Sequence, residues 1–217
     1  MKSSLIRAAI ALLALASFLP AATLAESGTA TTRTGGVLST TARLDVQVVI
    51  PEMIYLQVGA DPATALGTSS TIEKIDFTVP AAALGTGTAV AAAAASGNRG
   101  NGTVTARARG NVGSLNLSAS TAGPLINATT GAGSIDWSEI RVTAASVGGG
   151  ATLPHPLLSN GTTSVSLLPS AGGIVTSDAE WTYSYANSNL IAAGRYGDTQ
   201  TGTGGNNGRI TYTLATP

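Results

Sequence analysis

Ala42-Arg43-Leu44-Asp45-Val46-Gln47-Val48-Val49-Ile50-Pro51 alternates apolar and polar side chains. In an extended chain successive side chains point to opposite faces. Ala42, Leu44, Val46, Val48 and Ile50 therefore share one side, and Arg43, Asp45 and Gln47 the other. This pattern predicts a half-buried β-strand. Pro51 ends it, because proline has no N–H to give to a ladder.

The same period recurs along the chain. Ile54, Leu56 and Val58 follow at once, and Ile75, Phe77 and Val79 alternate with Lys74, Asp76 and Thr78 up to Pro80. Val104, Ala106 and Ala108 are interleaved with Thr105, Arg107 and Arg109. Leu115 with Leu117, Ile140 with Val142, and Val165 with Leu167 repeat the spacing. Trp181, Tyr183 and Tyr185 share one face of a further segment, and Ile210, Tyr212 and Leu214 make the last. The count is about nine short strands, punctuated by Gly, Asn, Ser and Pro. Many short strands without helical periods predict an all-β sandwich or barrel. Residues 81–102, rich in Ala and Gly, read as a long loop with room for a helical turn at Ala91–Ala95.

The N-terminus has the pattern of an export signal. Lys2 and Arg7 precede an apolar run from Ala8 to Leu19, Pro20 breaks it, and Thr23-Leu24-Ala25 suits cleavage after Ala25. The run is shorter than the ~20 residues of a membrane-spanning helix. The expected organisation is a signal peptide over residues 1–25, a flexible polar arm over 26–40, and one sandwich domain over 41–217. The expected location is the periplasm, the cell surface or the medium. Beyond the leader, nine basic residues face 11 acidic ones, and none of the basic ones cluster. That excludes the cationic footprint of a nucleic-acid binder. No later segment reads as a stable membrane span. With no cysteine in the chain, the fold is held by burial and backbone pairing without disulfides.

The residues for catalysis are sparse. The single His155 lies between Pro154 and Pro156, there is no Gly-x-Ser-x-Gly elbow, and Thr71-Ile72-Glu73-Lys74 has Thr where a Ser-x-x-Lys nucleophile is needed. The acidic pairs Asp136 with Glu139 and Asp178 with Glu180 each sit near a tryptophan, but read as solvated strand ends. One His and no Cys give no zinc site of the usual kind, and the loop after Asp198 lacks EF-hand spacing. The expectation is a non-enzyme without metal or cofactor. Two sets of residues remain as candidates. Leu44, Val46, Val48 and Ile50 offer an apolar face for strand pairing between chains. Trp181, Tyr183, Tyr185 and Trp137 are either sandwich core or, if exposed, a platform for stacking on sugar rings.

Two resemblances accompany this reading. Residues 42–50 and the strand Gly208-Arg209-Ile210-Thr211-Tyr212-Thr213-Leu214 resemble the terminal strands of bacterial fimbrial subunits. Those are exported, immunoglobulin-like antiparallel sandwiches that polymerise by donating a strand to a neighbour. The chain departs from them in having no disulfide and in ending Ala215-Thr216-Pro217. Tyr212-Thr213-Leu214, with Trp181-Thr182-Tyr183 as a second copy, is similar to the Trp-x-Leu signature of WxL-type surface domains, which associate with the cell wall. The resemblances imply an immunoglobulin-like sandwich acting as a surface or structural protein. Its partner would be another protein, as in self-association or surface assembly, or a cell-wall glycan. A small outer-membrane barrel is the remaining architecture that the length allows.

Overall fold

The computed structural model describes residues 26–61, 65–148, 150–197 and 207–217. The proposed leader and Asp198 lie outside them. The chain divides into a unit ending at Ile50 and a β-rich unit, Pro51–Pro217.

The first unit contains no strand among its described residues. Among these residues Arg43 meets the Glu26 carboxylate through its backbone N–H at 3.1 Å, Nε at 2.9 Å and Nη2 at 2.9 Å. The half-buried strand expected at 42–50 is therefore not formed. The reason is physical: alternation sorts side chains to two faces, but a strand exists only when a neighbour takes up its backbone N–H and C=O groups.

The second unit is the all-β sandwich the sequence predicts. Its described residues form eleven strands: β1 (Ile54–Val58), β2 (Val90–Ala91), β3 (Thr103–Gly110), β4 (Leu115–Ser120), β5 (Leu125–Ile126), β6 (Ser134–Ile135), β7 (Ile140–Ser146), β8 (Ala151–Thr152), β9 (Thr162–Leu167), β10 (Val175–Tyr185) and β11 (Thr211–Ala215). Seven of these coincide with alternating segments in the sequence. The exception in this unit is 74–79, where Ile75, Phe77 and Val79 are half-buried as the pattern demands. The backbone there bonds a loop instead of a strand: Ala93 N–H donates to Asp76 O at 2.8 Å and Gly97 N–H to Lys74 O at 3.1 Å.

One sheet is organised by β10. Residues 175–182 pair antiparallel with β3, and residues 179–185 pair antiparallel with β7. Because 179–182 pair with both, β3 and β7 must flank β10 on opposite sides. The two-residue β2 and β8 extend these flanks, β8 being the one parallel neighbour. Strand β1 completes the sheet beyond β3. The second sheet has the order β11-β4-β9, antiparallel throughout, and β5 pairs β6 in a separate ribbon.

The core lies between the two larger sheets. Strand β3 contributes Val104, Ala106 and Ala108, β4 contributes Leu115, Leu117 and Ala119, and β10 contributes Val175, Ala179, Trp181, Tyr183 and Tyr185. Size is distributed so that the layers fill. Trp181 stands opposite Val104 on one side and Ala144 on the other, so small neighbours make room for its indole. Its Nε1–H donates to Leu153 O at 2.9 Å, which satisfies the ring's only polar atom inside the core. Among the described residues every buried side-chain nitrogen and oxygen has a hydrogen-bond partner.

Candidate functional site

The residues proposed for strand pairing are wholly presented to solvent. Leu44 is 87% exposed, Val46 79%, Val48 77% and Ile50 75%. They occupy alternate positions of a segment outside every sheet. Val49, on the alternate side, is 81% exposed as well, so the apolar side chains of this segment are uncovered by any described residue.

The four aromatic candidates lie on the other side of that divide. Trp137, Trp181, Tyr183 and Tyr185 are all buried. They form core, and no sugar ring reaches their faces while the sandwich is closed. Trp137 is fixed by Nε1–H donating to Gly123 O at 2.9 Å and by its backbone N–H donating to Asn160 Oδ1 at 3.0 Å. Trp181 and Tyr183 instead meet His155. The imidazole sits edge-on to Trp181 at 4.6 Å between centroids, with Tyr212 at 5.5 Å from the facing sheet.

His155 Nε2 lies 2.6 Å from the Tyr212 hydroxyl, which is 2.7 Å from that of Tyr183. A neutral imidazole completes this chain, with Nε2 accepting from Tyr212 and Tyr212 accepting from Tyr183. Burial favours that neutral form and pushes the His155 pKa down from 6.5 to about 4, with the Pro156 backbone acting the other way. Burial likewise pushes both tyrosines up. Among the described residues the side chains that bond His155 Nε2 are the two tyrosines, Tyr212 and Tyr183, and neither a carboxylate nor a serine.

The paired carboxylates are taken up by structure. Glu139 Oε2 accepts from Ser188 N–H at 3.0 Å, and Asp136 accepts from the Asn160 amide. Asp178 and Glu180 point outward from β10 beside arginines, Glu180 at 3.4 Å from Arg99 Nε. Glu73 of the Thr-x-x-Lys segment accepts from Ala60 N–H at 3.1 Å, and Lys74 pairs with Asp76 at 3.0 Å on the exposed surface.

Asp178 belongs to an arrangement assembled only by strand pairing. A concavity of about 440 Å³ crosses the outer face of β1, β3 and β10. Its floor carries Tyr55 and Gln57 from β1, Arg107 and Arg109 from β3, and Asp178 from β10. Leu66 and Val147 line it as well. Both Asp178 oxygens accept from Arg109 Nη2 at 2.7 Å, while Arg109 Nη1 donates to the carbonyls of Ala108 and Ser177, each at 2.9 Å. Arg107 Nη1 meets Asp61 Oδ1 at 2.7 Å, and its Nε lies 3.6 Å from Asp178. Gln57 donates to Asp61 at 2.9 Å and accepts from the Tyr55 hydroxyl at 3.1 Å. The Gln57 hydrogen bond, and then the charge of Arg107, hold the Asp61 carboxyl below the usual carboxylate range. The sequence signal for this site was the polar half of two alternations, Thr105-x-Arg107-x-Arg109 and Asp178-x-Glu180.

No family model matches the chain, and no curated protein or solved structure is significantly similar to it. The chain is an all-β sandwich preceded in sequence by a segment whose exposed apolar residues pair with no described strand. Among the described residues no helix is long and apolar enough to cross a membrane.

Proposed function

We propose that the protein is a non-enzymatic exported bacterial surface or structural protein, a fimbrial or adhesin-like subunit that assembles through strand pairing. The observation that carries this reading is the exposure of Leu44, Val46, Val48 and Ile50, alternate positions of a segment that pairs with no strand among the described residues. Each such side chain gains about 1.5–3 kcal/mol on burial. A free edge on a neighbouring subunit would bury the stripe and take up the backbone groups of residues 42–50 in one step. The leader pattern of residues 1–25 supports export.

The test is the solution size of the exported chain, residues 26–217, by light scattering and negative-stain microscopy. Oligomers or filaments are expected, and they should vanish when the chain starts at Pro51 or carries Val46→Asp with Val48→Asp. A monomer under all conditions, or assembly unchanged by the double substitution, would overturn the reading.

A further inference from the structure

We propose that the concavity on the outer face of β1, β3 and β10 is a binding site for an uncharged oligosaccharide, with Arg107, Gln57 and Tyr55 as its hydrogen-bonding floor and Leu66 as an apolar contact. All of its residues lie within Pro51–Pro217, so the site stands independently of the strand-pairing segment.

Four observations lead to this ligand class. The space, about 440 Å³, falls in the range of small-molecule sites, ~300–1,000 Å³. The charges cancel, because Arg107 and Arg109 are matched by Asp61 and Asp178 through the contacts given above. A formally charged ligand would meet a like charge beside every opposite one, whereas a hydroxyl group can donate to the carboxylates and accept from the guanidinium groups at the same time. The floor is also preorganised. Gln57 is buried with both ends of its carboxamide bonded, and Arg109 is fixed at both terminal nitrogens. Little side-chain entropy remains to be lost on binding. Some capacity stays open: Arg107 Nη2 has no hydrogen-bond partner among the described residues, and the Tyr55 oxygen donates once and accepts nothing.

The apolar contribution completes the match. A pyranose ring presents hydroxyl groups at its rim and C–H groups on its faces. Leu66, 51% exposed, and Val147 offer aliphatic surface next to the polar floor. A ligand made only of apolar groups would leave the arginine and carboxylate groups desolvated and unpaired, which is unfavourable.

Isothermal titration calorimetry on the full chain tests this, with neutral trisaccharides (maltotriose, cellotriose, mannotriose and tri-N-acetylchitotriose) against trigalacturonate and the cationic glucosamine trimer. Saturable heat is expected with at least one neutral sugar. Arg107→Ala should weaken that binding about tenfold or more, the effect of losing a hydrogen bond from a charged donor. Leu66→Glu should also weaken it at a position already exposed, so that folding is unaffected. Val46→Asp with Val48→Asp should bind as the parent does, which separates this site from strand pairing. No saturable heat with any neutral sugar, tighter binding of a charged trimer, or parental affinity in both groove variants would overturn the proposal.

Discussion

Acid should weaken the sandwich through His155, and the size of the effect follows from its surroundings. The imidazole lies between the two sheets, edge-on to Trp181 and bonded to Tyr212. Burial lowers its pKa from 6.5 to about 4 in the folded chain. Between those values the unfolded chain binds a proton that the folded chain refuses. The contribution to stability is therefore fully present above pH 6.5 and lost as the pH falls, levelling off below about 4. At up to about 1.36 kcal/mol for each pH unit, the interval corresponds to about 3 kcal/mol, or about 2 kcal/mol once the water-accessible part of the ring is allowed for. Urea denaturation of the parent and of His155→Gln, from pH 7.5 down to pH 4, would isolate the effect. Carboxylate titrations are common to both proteins and cancel in the difference. The parent should lose its advantage over the variant progressively below pH 6.5. Parallel stability curves across that interval would refute the reasoning.

Other perturbations have outcomes of equal definition. Trp181→Ala should cost about 3–5 kcal/mol in urea denaturation, because it opens a cavity and leaves the Leu153 carbonyl without its donor. Val46→Asp with Val48→Asp should change the unfolding free energy of the sandwich by less than about 0.5 kcal/mol while removing assembly, since both side chains are exposed. Asp178→Asn should destabilise by about 1–3 kcal/mol, measured by thermal unfolding, because Arg109 is only 24% exposed and loses a charged partner on both Nη2 contacts. Gly97 has φ +75°, and a Cβ there would press on the Thr103 carbonyl. Gly97→Ala should therefore lose about 1–3 kcal/mol by the same assay.

The period of two found the long strands because burial on one face leaves its mark on residue choice. Val104, Ala106 and Ala108, or Trp181, Tyr183 and Tyr185, had to alternate for the sandwich to close over them. Strands of two residues, such as β2, β5, β6 and β8, have no period to detect. Residues 42–50 and 74–79 show the opposite failure. Their alternation is real, and in 74–79 it is matched by alternating burial, yet the pattern reports faces and says nothing of a ladder neighbour. The aromatic segment carried both readings, core and platform, and only the position of the facing sheet decides between them. The groove was legible even less. It forms from Gln57, Arg107 and Asp178, which are far apart in the chain and meet only through the register of three strands.

The way the two sheets are threaded also governs when the protein can fold. Strand β3 must wait for β10, with Thr103 and Thr182 bonding across 79 intervening steps of chain. Strand β4 waits still longer for β11, whose Thr213 lies 95 positions beyond Ser118. Contacts of such long range make folding slow, because loop closure must be paid before any pairing rewards it. On a ribosome, a nascent chain that has not reached residue 211 lacks one side of the second sheet and the Leu214 side chain that packs into its core. The second sheet is therefore complete only once residues 211–215 have been made and have docked on β4.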